Sequence, residues 1–494
     1  MKTISKIIVV ALLLIISQGC SEDFLNLENV NNLTTTSFYR TEKDFEDLLI
    51  STYMPMAFHQ MWGIKAHRIG FAVDDRSIHE RFNDSQLQYD ATNPDIAEIY
   101  WSLFTGVFRS NLFLQKCTDD AGIDGVRKQQ MIGEAYFLRG LYYFYLATYF
   151  EVPPLLQEPP DDPLEGHPNA TQDAIYDQVE TDFATAMELL PDLWDEKNLG
   201  RATKGAAMAY LGKTYLFRAK FSEAATILKE VIDSDIYSLN MPQATDSLDY
   251  VWAYLSNFTP IDLPNGSNVY DSEFNSESIF EVNFSLAFDL GRDASQYLPG
   301  RRSTGSHQTW FNGYSNFTQG YGNLAIDDKS FPDAFEAPGP AGLQKDPRYY
   351  ATFIAPGDTL DWRTSILDHY ETNAGTRVFR ISDLNSTLGT SLGMRKHLWP
   401  FHNSLVWSNA PFQDPNNWRL MRYADVLLMY AEAAFRESGN EFHPEALIAI
   451  NKVRLRVGMP LLTALSKEAI VHERDIELAL EHKRFWDFAR WYRD

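Results

Sequence analysis

In the first half of the chain, apolar positions recur at helical spacing. Phe45, Leu48, Leu49, Tyr53 and Met56 share one face. They follow Thr41-Glu42-Lys43-Asp44, which offers a hydroxyl cap and acids for the first turn. After Asn93-Pro94, a second stripe runs through Ile96, Ile99, Tyr100, Leu103, Phe104, Val107 and Phe108. Trp101 neighbours that stripe and has two readings, a core ring first and a stacking platform second. Asn111 falls on the same face, and a buried amide needs partners, so a backbone turn elsewhere is expected to bond it. The span from about Arg127 to Phe150 is the most apolar, with Ile132, Ala135, Tyr136, Tyr143 and Leu146 in line and Arg139 among them. A guanidinium placed there requires a carboxylate or several carbonyls. Pro153 and Pro154 end this helix.

Gly200-Arg201-Ala202-Thr203 opens a helical hairpin with Thr203 as its cap. Leu211-Gly212 and Tyr215, then Ala224, Leu228 and Val231, match the spacing of a tetratricopeptide unit. Ala206, Ala207, Ala209 and Gly212 let its two helices approach closely. Such a unit cannot cover its own apolar face, so neighbours must stack on it. A second hairpin is expected at Tyr423–Glu437 and Pro444–Val457. Between about 240 and 420 the helical period fades and Gly, Pro, Asn, Ser and Asp become frequent. Ser278–Phe284 there looks like a strand. Long irregular stretches within a compact protein commonly carry function.

Hydrophobic content of 45% and charged content of 22% fit a globular protein with a sizeable core. Aromatic content of 14% exceeds what helix packing requires, and while most rings belong in the core, some suit a surface on which sugar C–H faces stack. The formal charge of −24 repels phosphate backbones and argues against nucleic acid. The chain starts with Lys2 and Lys6, an apolar run from Ile7 to Ile16, and Ser17-Gln18-Gly19-Cys20. That layout reads as a secretory signal over residues 1–19 followed by a lipidated Cys20, so that the membrane is reached through an N-terminal lipid. The acids Glu22 and Asp23 resemble an export signal toward the cell exterior. With Cys20 acylated, Cys117 has no disulfide partner and is expected as a structural thiol at a helix end.

No Gly-x-Ser-x-Gly elbow, His-Glu-x-x-His helix or phosphate-binding glycine loop occurs, and no Cys/His spacing suggests a metal. Paired acids such as Asp161-Asp162 and Asp327-Asp328 arise by chance among 67 acids. An enzyme is therefore not expected, nor is a cofactor. Glu473, Arg474, Glu477, Glu481, Arg484, Asp487 and Arg490 suggest a charged terminal helix braced by i,i+3 and i,i+4 pairs.

Several blocks in order carry a family resemblance. They are Gly133-Glu134-Ala135-Tyr136-Phe137-Leu138-Arg139-Gly140 on to Tyr149-Phe150 and Val152-Pro153, and Gly200-Arg201-Ala202-Thr203-Lys204-Gly205. Phe331-Pro332-Asp333-Ala334-Phe335-Glu336 with Asp346-Pro347-Arg348 follows, then Arg422-Tyr423-Ala424-Asp425-Val426-Leu427. Ala449-Ile450-Asn451-Lys452-Val453-Arg454 and Glu473-Arg474 to Arg490-Trp491 complete the set. Together they resemble the SusD/RagB family of outer-membrane nutrient-binding lipoproteins. Glu151 stands where that family commonly has Gly before Val-Pro. The resemblance implies a mainly α fold of tetratricopeptide-like hairpins with a loop-rich, low-sheet second part. It divides the chain into 20–240 and 241–494, the latter loop-rich over 241–420 and helical over 421–494, packed as one unit. It implies a surface lipoprotein that holds oligosaccharide or polysaccharide nutrients for a SusC-like TonB-dependent transporter. A peptide ligand is the alternative, and a secreted carbohydrate-active enzyme a more distant one.

Two stretches are the candidate ligand contacts. The first is Gln296–Asn323, in which Trp310, Phe311, Tyr314, Phe317 and Tyr321 alternate with Gly, Ser, Gln and Asn residues including Asn312. No helical or strand period buries all five rings, which suits stacking platforms with amide donors; Arg301 and Arg302 add recognition of acidic groups. The other reading anchors two or three of these rings to the core. The second stretch holds Trp62, Asp74, Asp75, Arg76 and Arg81. The resemblance places ligand contacts in both.

Overall fold

The structure is a computed structural model. It describes residues 39–63, 65–72, 77–79, 93–117, 123–162, 166–243, 247–258, 261–262, 268–270, 272–284, 324–326, 331–354, 392–397 and 417–493. The fold is mainly α.

Helix α1 (Glu42–Tyr53) opens as expected: the Thr41 hydroxyl accepts from the Asp44 N–H, and the Asp44 carboxylate accepts from the Thr41 N–H at 2.8 Å. After an irregular passage comes α2 (Lys65–Ala72), which leads into strand β1 (Ser77–His79). Helix α3 (Pro94–Lys116) is capped by Asn93, which accepts from the Asp95 N–H at 2.9 Å, and stops at the buried Cys117. Two aromatics depart from the expected face of α3. Trp101 and Phe108 are each 42% exposed: Phe108 lies one residue, or about 100° of rotation, past the buried Val107, and Trp101 lies one residue before the buried Ser102. Trp101 stacks on Phe58 from outside, with centroids 6.0 Å apart.

Helix α4 (Gly125–Phe150) is buried on nearly every side rather than along one stripe, since it runs between α3 and α5 (Gln172–Leu189). Its Arg139 finds the expected carboxylate: Nε and Nη2 donate to Asp182 at 2.9 and 2.7 Å, and Nη1 donates to Asn111 Oδ1 at 3.0 Å. Asn111 in turn donates to the Leu156 carbonyl at 2.9 Å, tying down the chain beyond the helix end. The cap residue Glu151 takes a positive φ of 59°, which explains why glycine suits this position.

The expected hairpins form. Helix α6 (Lys204–Phe217), capped by Thr203, packs on α7 (Phe221–Asp233), and a Cβ at Gly212 would run into Leu228. Helix α8 (Ser247–Leu255) follows. The sheet content is small: β2 (Ile261–Asp262) pairs with β3 (Asn268–Tyr270), and β4 (Ser278–Val282) falls in the expected strand segment. Next come β5 (Leu324–Ile326), α9 (Pro347–Thr352), β6 (Phe353–Ile354), β7 (Gly393–Met394) and β8 (Trp418–Arg422). Strand β8 is antiparallel to β4 and runs straight into α10 (Tyr423–Ser438), which pairs with α11 (Pro444–Arg456). Helix α10 also packs on α7, and the largest apolar core joins Phe137, Phe144 and Tyr210 from the first half to Phe280, Met421 and Leu427 from the second.

The chain's last part corrects an expectation. Its charged residues lie on two helices, α12 (Lys467–Glu477) and α13 (Arg484–Arg493), joined by a buried turn. Of their ion pairs among the described residues only Asp487–Arg490 is an i,i+3 contact; Arg474–Asp487 and Arg484–Asp475 tie the two helices to each other, and others reach inward to distant segments. Glu477 binds Arg348, Arg422 and Arg456, and Glu473 binds Arg348 and Arg454, both at 2.6 Å. Glu277, immediately before β4, completes the cluster through Arg422 at 2.8 Å and Arg456 at 3.1 Å. Burying charge requires mutual pairing, which a helix surface does not supply.

Candidate functional site

Among the described residues, two short strands that adjoin the candidate stretches in sequence pair with each other. Strand β1, which lies between Arg76 and Arg81, pairs antiparallel with β5, which closes the 296–323 stretch. The register sets Ser77 against Ile326, Ile78 against Ala325 and His79 against Leu324. Segments nearly 250 residues apart in sequence thereby share one ladder. On the β5 side β7 packs against the ladder, and on the β1 side α2 does.

Below α2 lies a buried aromatic floor. Trp62 and Trp418 stack at 5.8 Å between centroids, and Trp418 lies 4.6 Å from His67, 4.7 Å from His397 and 5.1 Å from His482. Trp62, expected as a ligand contact, is only 3% exposed and belongs to this floor. Its indole is held between the rings of Tyr145, His67, His482 and Trp418, so a ring long enough to serve as a platform is spent on packing. Arg301, Arg302, Trp310, Asn312, Tyr314, Phe317, Tyr321, Asp74, Asp75, Arg76 and Arg81 lie outside the described residues, as does Cys20.

Burial disfavours the charged form of two imidazoles of the floor, His482 and His397. Burial pushes His482 down to about 3, helped by the neighbouring His397 and Lys483. Burial, with Lys396 beside it, likewise holds His397 far below the usual histidine range. The nearby acids behave in the opposite way. Burial opposes their charge, yet Arg456, Arg422 and Arg348 hold Glu477 at about 2, and Arg422 with Lys396 holds Glu481 at about 2. Burial lowers Lys396 to about 8 and, with Lys483 adding repulsion, Lys213 to about 7. These acids are fully engaged by guanidinium groups, which suits them to rigid support rather than proton transfer.

A second region escaped the sequence reading. Two adjoining depressions, of about 180 and 190 Å³, share the wall formed by Leu199, Gly200, Arg201, Phe280 and Glu281. Trp194, Tyr237 and Phe274 line one of them beside Asn275 and Ser276. Trp194 donates its indole N–H to the Ala202 carbonyl at 2.8 Å and lies under the guanidiniums of Arg127 and Arg201. Its residues come from four separate segments without a shared period, so no local pattern marked them.

The geometry can be set beside known proteins. The pattern describing the SusD family matches residues 276–494, and one described as "Starch-binding associating with outer membrane" matches 23–216. The chain is similar to SusD-like protein P2 of Formosa agariphila, with 22% identity over 97% of this chain and 89% of that one. In three dimensions it is similar to a SusD-like protein from Bacteroides fragilis, with a TM-score of 0.70, 22% identity, and coverage of 93% and 88%. It is also similar to surface glycan-binding protein A from Bacteroides uniformis, with a TM-score of 0.66, 20% identity, and coverage of 92% and 88%.

Proposed function

The chain belongs to the SusD/RagB family, and from that membership we propose that it captures a nutrient glycan at the outer membrane for a SusC-like TonB-dependent transporter. The observation that supports this reading is the β1–β5 ladder, whose two strands lie next in sequence to Asp74–Arg76 and Arg81 on one side and to the aromatic 296–323 stretch on the other. Trp310, Tyr314, Phe317 and Tyr321 then serve as stacking platforms. Asn312 and the acids Asp74 and Asp75 bond sugar hydroxyls, and Arg301, Arg302, Arg76 and Arg81 select acidic substituents. A relative described as a surface glycan-binding protein supports the ligand class. The protein acts by binding and release, with no bond broken.

In this reading residues 1–19 are removed and Cys20 carries the lipid, with the body facing the exterior. Its 20–240 and 241–494 parts, built on tetratricopeptide-like hairpins, work as one body. Cys20→Ser should abolish acylation by mass spectrometry and release the protein from membranes. Recovery of a TonB-dependent transporter with the affinity-tagged lipoprotein from outer membranes tests the partner.

The deciding experiment is affinity electrophoresis and calorimetry of the lipid-free protein from Ser21, against panels of polysaccharides and peptides. Binding to one glycan class without degradation supports the reading, and binding to peptides alone replaces the ligand class. Trp310→Ala and Tyr314→Ala should each weaken glycan binding while the fold is retained. Should they leave affinity unchanged while Phe274→Ala abolishes it, the site moves to the depressions beside β4.

A further inference from the structure

The buried turn between α12 and α13 contains two residues in a conformation that non-glycine residues seldom adopt. Leu480 has φ 61° and His482 has φ 57°. Leu480 lacks the polar side chain that eases this region, so its surroundings must hold it there. Glu481, between them, and His482 reach two different segments. Both segments lead to the β1–β5 ladder.

Glu481 Oε1 accepts from Lys396 Nζ at 2.7 Å and from Arg422 Nη2 at 2.7 Å. Lys396 Nζ also donates to the Ala479 carbonyl of the same turn at 2.7 Å and to the Tyr254 hydroxyl at 2.6 Å. Lys396 follows β7 by two residues, and β7 packs on β5. His482 turns instead to α2. Its Nε2 meets His67 Nδ1 at 3.2 Å, and its ring lies so close to Gly70 that a Cβ at that position would overlap it. His67 and Gly70 are one turn apart on α2, so the imidazole fixes that helix at two points, and α2 leads directly into β1.

We propose that the 478–483 turn positions the ligand site: through Glu481–Lys396 it holds the β7–β5 side of the ladder, and through His482 on His67 and Gly70 it holds the α2–β1 side. Its role in ligand binding rests on the ladder being the glycan site, whereas its role in holding the two sides does not. Positioning residues of this kind set the geometry of a site without touching the ligand.

The test is hydrogen exchange followed by mass spectrometry on the whole lipid-free protein and on four variants. His482→Leu should make amides of 65–79 exchange at least about tenfold faster and leave 392–397 unchanged, while Lys396→Met should do the reverse. His482→Gln, which keeps an acceptor for His67, should restore most of the protection. Leu228→Ala, in the α6–α7 hairpin, is a control for general loosening and should leave both segments as they are. In parallel, His482→Leu should weaken glycan binding by about tenfold. The selective pattern with weakened binding supports both the turn's role and the placement of the site. The selective pattern with unchanged binding, or with no ligand found for the wild type, supports the positioning of the ladder and counts against the ladder as the glycan site. Uniform loosening in all variants, or no loosening of 65–79 in His482→Leu, overturns the proposal.

Discussion

The helical body and the C-terminal cluster are both fully buried, yet opposite chemistry holds them. In the body, α4 is surrounded by rings and aliphatic side chains. Phe137 meets Phe280 at 4.8 Å and Phe144 meets Phe217 at 5.2 Å; the few buried ion pairs of α4 join Arg139 to Asp182 and Glu134 to Arg127 and Arg201. In the cluster, Arg348, Arg422, Arg454 and Arg456 alternate with Glu277, Glu473, Glu477 and Glu481, drawn from the turn before β4, α9, β8, α11, α12 and the turn after it. Apolar packing is non-directional and tolerates helices sliding, whereas a bidentate guanidinium pair fixes distance and orientation. The loop-rich part has few strands to align it, and the charge cluster takes over that task.

Breaking the cluster should therefore cost most. Arg422→Met leaves Glu277, Glu477 and Glu481 short of a partner and should lower stability by about 3–5 kcal/mol in chemical denaturation. A cavity in the body should cost somewhat less. Leu141→Ala removes a wholly buried side chain and should cost about 3 kcal/mol, with no change in pH dependence.

Acid separates the two regions further. His482 is held at about 3 when folded, against an ordinary 6.5, so the unfolded chain takes up the proton first. That contribution is intact above pH 6.5 and is lost as pH falls toward 3. Glu477 and Glu481, at about 2 against 4.5, contribute above pH 4.5 and lose their contribution as pH falls toward 2. Denaturation midpoints should decline gently from pH 6.5 and steeply below 4.5, and His482→Gln should lessen the slope of the upper limb, to which His397 also contributes, and leave the lower limb as it is. A slope unchanged in that variant would show that the imidazole is not responsible. The smallest effect is expected at the end of α4, where Glu151→Gly relieves a positive φ and should raise stability by about 1 kcal/mol in the same assay.

Much of the fold was legible because its determinants are local. Thr41, Asn93 and Thr203 announced helix starts, the small residues around Gly212 announced the α6–α7 hairpin, and Arg139 demanded the carboxylate that Asp182 provides. Trp101 and Trp62 were misjudged for one reason. Whether a ring is covered depends on a neighbour that sequence spacing does not identify: Trp101 sits one step outside the covered arc of α3, and Trp62 is capped by Trp418 and His482 from far along the chain. The charged terminal residues were misread similarly, since i,i+3 spacing describes a single helix and their partners lie elsewhere.

By itself, then, the sequence determined the helices, their caps, the close approach of paired helices and the family, all of which follow from side-chain size, charge and spacing over a few turns. Only the tertiary structure decided that β1 meets β5, that Glu277 meets Arg422 and Arg456, and that His482 rests on α2. Those contacts join segments separated by a hundred residues or more, and which of many compatible charges and rings come together is settled by how the whole chain packs.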